Sequence, residues 1–322
     1  MIGRVVEIAE DGRHLSLSRG FMVVAAKGEE VGRVPLDDIG AVIANGHGLT
    51  YSNNLLLALV ERGAAMVFCG ANHSPAAFLW PVEGHHAQTQ RMRAQLSAQA
   101  PLSKRLWRLI VQAKIRQQGA ALDGMGQPGG GFDLMARRVR SGDPDNMEAQ
   151  AARRYWPLLF DRAFRRNPDE PGVNGMLNYG YAILRSATAR AVIGAGLHPS
   201  FGLHHHTRGN PMCLVDDLME PFRPLADVTV VRLVAAGRDK VDAEVKRALA
   251  GLTTLDMRTA EGTTPVSTCM MRLASSLGEA FVSGRARLDL PQAALPLDFP
   301  TLSPEAGDAA QRLPADVDDG DV

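Results

Sequence analysis

The sequence has few cysteines and no long apolar segment, and both absences narrow the class of protein. Its three cysteines, Cys69, Cys213 and Cys269, lie far apart in a chain of 322 residues, and no Cys-x-x-Cys pair occurs. Three isolated thiols do not make a fully paired disulfide framework, which favours a reducing compartment. No stretch approaches the ~20 apolar residues of a membrane span, and the N-terminus lacks the apolar core of a signal peptide. We therefore expect a soluble, cytoplasmic protein.

The chain also lacks net charge, but its charges are unevenly distributed, with a basic segment and an acidic segment of the chain opposing each other. Residues 91–190 carry 17 Lys and Arg against 8 Asp and Glu, whereas residues 301–322 carry six acids and one base. A contiguous basic excess is what a polyanion-binding surface needs, because each neutralised phosphate releases counterions. Basic side chains on solvated helix faces are the alternative that composition leaves open. The acidic C-terminal segment, residues 291–322, is predicted to be a disordered tail.

A nucleotide-binding loop is missing as well. The glycine-rich run GMGQPGGGFD at 124–133 is neither a Gly-x-Gly-x-x-Gly turn after a strand nor a phosphate loop with Gly-Lys-Ser/Thr. The pattern of apolar residues changes near residue 85. Short β-rich runs with turn signals, and one helix capped by Ser52, precede it. Apolar residues three and four apart follow it, and they predict helices that include 215–235, 239–250 and 264–283.

Three groups of residues are candidates for chemistry, and Glu148 is the first. The run SGDPDNMEAQAARRYW predicts a helix that begins at Asp143 and Pro144, a favourable cap and first-turn pair. Glu148 then lies at the margin of the buried stripe of that helix. A first-turn acid stabilised by the helix dipole is the alternative interpretation.

The second group is the loop GLHHHTRGNP at 202–211, which contains three consecutive histidines. Imidazole serves as a general base and as a ligand for transition metals. Side chains at adjacent positions point in different directions, so at most one or two of these histidines converge on one site. A polar surface loop is the alternative.

The third group is LVDDLMEPFRP at 214–224, where Asp217 and Glu220 share one face of a predicted helix. Two carboxylates on one face repel each other unless they are hydrated or bound to a cation, and oxygen ligands suit Mg²⁺ or Mn²⁺. A solvated acidic face is the alternative. Together, the three groups resemble the carboxylate and imidazole sites that use a divalent metal beside basic clamps for phosphodiester chemistry.

Three runs, in this order and spacing, resemble the CRISPR-associated integrase of spacer acquisition, the subunit that cuts and joins DNA. The runs are DNMEAQAARRYWPLLF, NGMLNYGYAILRSATARAVIGAGLHPSFGLHHH and LVDDLMEPFRP, and the resemblance extends over about residues 1–290. The run KRLWRLIVQAKIRQQGAAL is similar to the subgroup whose interference is done by one large RNA-guided double-strand nuclease.

The resemblance implies an α+β fold of two domains and a defined assembly. Residues 1–84 would form a small β-rich domain that dimerises, and residues 85–290 a larger, all-helical catalytic domain that binds metal and DNA. Two homodimers would assemble around a dimer of a small ferredoxin-like subunit as a heterohexamer, with the large RNA-guided nuclease as a further partner. The β-rich part independently favours a homodimer, since it offers strand edges and apolar side chains that a small domain covers poorly: Leu55, Leu56, Leu57, Val67 and Phe68.

The resemblance also implies which residues hold Mg²⁺ or Mn²⁺. Glu148, His205 and Glu220 match the family's glutamate, histidine and final acid, and Asp217 matches a neighbouring acid that is either a ligand or lies behind the ligands. His204 and His206 are the alternatives to His205.

We therefore predict a metal-dependent DNA integrase and endonuclease that inserts foreign DNA into a CRISPR array. The 3′-hydroxyl of the incoming duplex would attack a phosphodiester of the repeat. The predicted contacts to the DNA backbone, which fix position without reading sequence, are Arg137, Arg138, Arg140, Arg153 and Arg154. A stand-alone metal-dependent nuclease and a non-catalytic DNA-organising scaffold are the alternatives.

Overall fold

Strands dominate the first part of the molecule. The computed structural model describes residues 4–70, 75–79 and 85–293, so all but the first three residues of the predicted tail at 291–322 lie outside the described residues. The elements of this part are β1 (Arg4–Ile8), β2 (Arg13–Ser18), β3 (Phe21–Ala26), β4 (Glu29–Pro35), β5 (Ile39–Ala44), β6 (Thr50–Tyr51), α1 (Asn53–Glu61), β7 (Ala65–Cys69) and β8 (Pro75–Leu79).

These strands form two four-stranded sheets. One has the order β4-β3-β2-β6, in which β2, β3 and β4 are antiparallel and β6 runs parallel to β2. The other has the order β1-β5-β7-β8, with parallel β1, β5 and β7 and an antiparallel edge strand β8. Helix α1 begins where Ser52 predicts, because the Ser52 hydroxyl accepts the N–H of Leu55 at 3.3 Å.

Helices dominate from residue 88 onward. They are α2 (Gln88–Leu96), α3 (Ala100–Gly124), α4 (Gly131–Arg138), α5 (Met147–Leu159), α6 (Val173–Gly194), α7 (Cys213–Met219), α8 (Arg223–Ala235), α9 (Ala243–Ala250) and α10 (Val266–Ser283). An antiparallel hairpin of β9 (Asp256–Thr259) and β10 (Gly262–Pro265) interrupts them. This hairpin departs from the expected all-helical domain. The mixed α+β class is as predicted.

Helix α6 is the centre of the helical part. Leu177, Leu184 and Val192 are fully buried, and α7, α8, α9 and α10 all pack against this helix. Gly180 allows α8 to approach closely, since a Cβ at this position would lie 3.0 Å from the Cβ of Ala226. Among the described residues, no helix is both long enough and apolar enough to cross a membrane.

A small polar network joins the two parts. Tyr179 of α6 donates its hydroxyl proton to the Glu7 carboxylate, and the Asn45 side-chain amide donates to the same carboxylate at 2.7 Å. Of the apolar residues that favoured a dimer, Leu55 and Val67 are buried within the chain itself, whereas Leu57 is 53% exposed. The homodimer therefore stays a prediction.

Candidate metal centre

Glu148 lies in the first turn of α5, which begins three residues beyond the predicted start at Asp143 and Pro144. The difference has a local cause. Asn146 adopts the left-handed conformation, with φ of 51°, and its side chain accepts the N–H of Ala149. Asp143 still caps the helix from the preceding turn, because its carboxylate accepts the N–H groups of Met147 at 2.8 Å and of Glu148 at 3.0 Å.

Glu220 lies at a break in the helix that the sequence predicts over 215–235. α7 ends at Met219, and a short 3₁₀ helix of residues 220–222 leads into α8. The Glu220 side chain is only 5% exposed, and its Oε1 lies 3.0 Å from the Arg223 Nε. Burial alone would raise the pKa of this carboxyl, but the charges of Arg223 and Lys114 outweigh burial and lower it.

Lys114 of α3 brings Glu148 and Glu220 together. Its Nζ lies 2.6 Å from Glu148 Oε1 and 2.5 Å from Glu220 Oε2. Burial would lower the pKa of this ammonium, but the two carboxylates outweigh burial and raise it, so the lysine is charged at neutral pH. Sequence reasoning missed this residue as a site member. The signal that could have found it was a lysine within the buried stripe formed by Ile110, Val111 and Ile115.

Asp217 and His205 form a second pair. The Asp217 side chain is fully buried, and its Oδ2 accepts the N–H groups of Leu203 at 2.6 Å and of His204 at 3.0 Å. Its Oδ1 lies 2.5 Å from His205 Nδ1. The hydrogen bond to Asp217 raises the pKa of His205 despite partial burial, and the charges of Asp217, Glu220 and Glu148 add to the rise. Asp217 thus orients His205 from behind.

Gly202 is what lets the histidine loop close over Asp217. A Cβ at this position would lie 2.5 Å from the His205 carbonyl oxygen and 2.9 Å from Asp217 Oδ2, distances that no relaxed side chain shows. The other two histidines of the loop have different surroundings. The His204 ring stacks on Trp107 with 4.5 Å between centroids, and His206 is exposed beside a cavity of about 950 Å³. Only His205 is tied to a carboxylate in this loop as the structure describes it.

The five arginines predicted to contact DNA all lie at the surface on α4, on α5 and in the connection between them. Arg137 pairs with Asp133 at 2.7 Å, and Arg140 pairs with Asp145 at 2.6 Å. Exposed pairs of this kind contribute little stability, so a phosphate can replace the carboxylate at small cost. Arg154 lies over the Phe132 ring, 5.8 Å from its centroid.

The side chains as they stand do not form a closed metal site. In the ranges 4–70, 75–79 and 85–293, no three His, Cys, Asp or Glu side chains are grouped closely enough to hold an ion. The donor set nevertheless fits a divalent cation. Two carboxylates already bind one positive charge between them, and His205 has its Nδ1 engaged by a carboxylate, as metal-bound histidines usually do. Glu148, Glu220 and His205 are the side chains that could hold the ion.

Comparison with solved structures shows a shared fold. A casposase bound to an integration product superposes with a TM-score of 0.73 at 18% identity, covering 89% of this chain and 92% of that one. A chain of a Cas6-RT-Cas1–Cas2 complex superposes with a TM-score of 0.69 at 17% identity, covering 91% of this chain and 36% of that one.

Comparison of sequences identifies the family. The CRISPR-associated endonuclease Cas1 of Neisseria meningitidis is 40% identical over 242 residues, which cover 73% of this chain and 77% of that protein. A family model described as CRISPR associated protein Cas1 matches residues 6–254. The resemblance to the CRISPR integrase family is confirmed, whereas the resemblance to one subgroup stays a prediction. By the extent of both matches, this chain belongs to the Cas1 family.

Proposed function

We propose that this chain is a metal-dependent DNA integrase and endonuclease that joins incoming DNA to a CRISPR repeat as a new spacer. The observation that carries the proposal is that Glu148 and Glu220 converge on one ammonium group, the Lys114 Nζ, at 2.6 Å and 2.5 Å. Membership of the Cas1 family supports it, as does the shared fold with a casposase whose structure holds an integration product.

Glu148, Glu220 and His205 would hold Mg²⁺ or Mn²⁺, and each has a defined support. Asp143 accepts the N–H of Glu148 and so fixes the turn that carries it. Asp217 engages His205 Nδ1 and leaves Nε2 available as the ligand atom. A bound divalent ion would neutralise charge on the scissile phosphate and position the attacking oxygen.

The reaction we propose is a transesterification. The 3′-hydroxyl of the incoming strand forms a new bond to a phosphorus atom of the repeat, and the bond from that phosphorus to the original 3′-oxygen breaks. The attacking hydroxyl gives its proton to solvent, and the released 3′-oxygen takes one up from solvent. Because the hydroxyl of the DNA attacks the phosphorus directly, no covalent bond to the protein is needed, and the number of phosphodiester bonds is unchanged. The arginines of α4 and α5 would hold the DNA backbone.

The assembly is also part of the proposal. We infer a homodimer through the β-rich part and a heterohexamer with a small ferredoxin-like subunit, supported by the neighbour of the same fold that is found in a Cas1–Cas2 complex. The run at residues 104–122 supports a place beside the large RNA-guided nuclease of the same system. The cytoplasmic location likewise stays a prediction.

Substitution of the three ligands tests the proposal. Glu148→Ala, His205→Ala and Glu220→Ala should each lower Mn²⁺-dependent strand joining by about 100-fold or more, because each removes a direct ligand. His204→Ala and His206→Ala are matched controls in the same loop and should retain joining. Thermal melting of each variant checks that the fold is intact.

Three outcomes would contradict the proposal. Full joining by any ligand variant removes that residue from the site. Cutting without joining favours a stand-alone nuclease. DNA binding with neither reaction favours a scaffold.

A further inference from the structure

Lys114 occupies the position between the two carboxylates that the proposed function assigns to the metal. Its side chain is 13% exposed, and it approaches one oxygen of each partner, Glu148 Oε1 and Glu220 Oε2. Hard divalent cations bind the same kind of oxygen. An ammonium group and a divalent ion placed between these two oxygens would repel each other, so they compete for the position.

Glu220 has both of its oxygens engaged. Its Oε1 lies 3.0 Å from Arg223 Nε, and its Oε2 lies 2.5 Å from Lys114 Nζ. A divalent ion that approaches Glu220 therefore meets two positive charges already beside it, and their repulsion is relieved if one of them moves away.

Of the two cations, Arg223 is the anchored one. Its guanidinium lies over the Tyr181 ring, 4.8 Å from the centroid, and the Tyr181 hydroxyl donates at 2.5 Å to Asp227, which is buried. The Lys114 ammonium, by contrast, is held by the same two carboxylates that the metal would use. A lysine ammonium on a flexible four-carbon stem also moves more easily than a stacked guanidinium.

We propose that Lys114 is a resident cation that pairs Glu148 with Glu220 in the metal-free protein and that a divalent ion must displace. The inference rests on the proposed metal site of these two carboxylates. It adds that metal affinity is set by a competition within the chain. The apparent affinity is the intrinsic affinity multiplied by the fraction of molecules in which the site is available, so Lys114 lowers the affinity for Mg²⁺ and Mn²⁺. It also keeps the two carboxylates from repelling each other when no ion is bound.

Metal titration of a lysine variant tests the competition. Lys114→Met removes the ammonium but keeps an unbranched side chain, and it should bind Mn²⁺ about tenfold tighter than the parent, which corresponds to about 10% of parent molecules with the lysine displaced. Lys104→Met makes the same change at an exposed position of the same helix and should bind Mn²⁺ as the parent does. Isothermal titration calorimetry gives the dissociation constants without any DNA. Equal or weaker binding by Lys114→Met would overturn the inference.

A second measurement uses the parent protein and does not depend on the folding of a variant. The chain has five lysines, and reductive methylation followed by peptide mass spectrometry reports on each. Lys114 should be methylated slowly without metal and at least about tenfold faster with saturating Mn²⁺, because the displaced fraction rises from about 10% toward completion. Lys104 and Lys240, both exposed, should not change. If Lys114 is methylated at the same slow rate with and without Mn²⁺, the ion does not displace it.

The two experiments separate this inference from the proposed function. If the parent binds Mn²⁺, Glu148→Gln does not, and Lys114→Met binds Mn²⁺ with the same dissociation constant as the parent, the metal site stands and only the competition is rejected. A parent that binds no Mn²⁺ rejects both.

Discussion

Asp227 lies buried behind the carboxylate site, and two tyrosines hold it there. The Tyr155 hydroxyl donates to its Oδ2 at 3.1 Å and the Tyr181 hydroxyl to its Oδ1 at 2.5 Å. Burial raises the pKa of Asp227 to about 7, although the two hydrogen bonds and the charges of Arg223 and Lys114 oppose the rise. The carboxyl therefore titrates near neutrality.

This raised pKa predicts how stability depends on pH. Between about pH 4 and pH 7 the folded state holds a proton on Asp227 that the unfolded state releases, so the free energy of unfolding falls as the pH rises through this window. Asp227→Asn cannot ionise and lacks this contribution. Urea unfolding from pH 4 to pH 8 should show the parent losing stability relative to the variant up to about pH 7, with a constant difference above it. A difference that does not vary with pH would show that Asp227 is not protonated in the folded state.

The residues found and missed at the site differ in the kind of signal they carry. Glu148, Asp217 and Glu220 lie in runs whose order and spacing resemble a known family. In the structure the two glutamates meet at Lys114, and Asp217 holds His205, whose pKa both glutamates help to raise. Lys114 and Asp227 are charged residues within largely apolar stretches of helix. An apolar stripe around a charged residue indicates burial, but it does not show which residue across the core is its partner. Only tertiary packing reveals their partners.

The start of α5 decides where Glu148 lies. Asp143 is nearly buried and accepts two N–H groups of the first turn, at 2.8 Å and 3.0 Å. Asp143→Ala should therefore lower the free energy of unfolding by about 1–2 kcal/mol and reduce strand joining. Asp145→Ala, a matched change in the same turn, removes only an exposed pair with Arg140 and should cost less than about 1 kcal/mol.

Chemical denaturation of the two variants measures this difference directly. Equal stability of Asp143→Ala and Asp145→Ala would mean that the cap does not hold the first turn of α5.

Local signals predicted some elements and missed others. Helix α1 follows from the Ser52 cap and its leucine-rich face, and the strands of the first part follow from β-rich runs between turns. The hairpin of β9 and β10 was missed because strands of four residues are too short to show a period. The predicted helix over 215–235 is divided at Glu220, where Pro221 and Pro224 each remove a backbone donor.

The basic excess of residues 91–190 predicts how the affinity of the protein for DNA depends on salt concentration. If about six phosphates contact each protomer, log affinity should fall with log salt with a slope of about −5. Reversing Arg137, Arg138 and Arg140 to glutamate should flatten this slope by about 1 for each phosphate that the variant no longer binds, and it should weaken unrelated duplexes equally. The same change at Lys240, Lys246 and Arg247 is the matched control.

Fluorescence anisotropy at several salt concentrations gives these slopes. If the control variant loses the slope and the α4 variant does not, the DNA lies along α9 and not beside Glu148.

The proposed function requires that a 3′-hydroxyl of the incoming DNA attack at the site of Glu148, His205 and Glu220. The most direct measurement compares two short duplexes that differ only at the 3′ end, one with a hydroxyl and one with a 3′-deoxy terminus, incubated with Mn²⁺ and a plasmid that carries the CRISPR repeat. We predict that only the hydroxyl duplex becomes covalently joined to the plasmid, and that Glu220→Ala abolishes the joining. Equal joining of both duplexes, or joining by Glu220→Ala at the level of the parent, would show that this attack does not take place at that site.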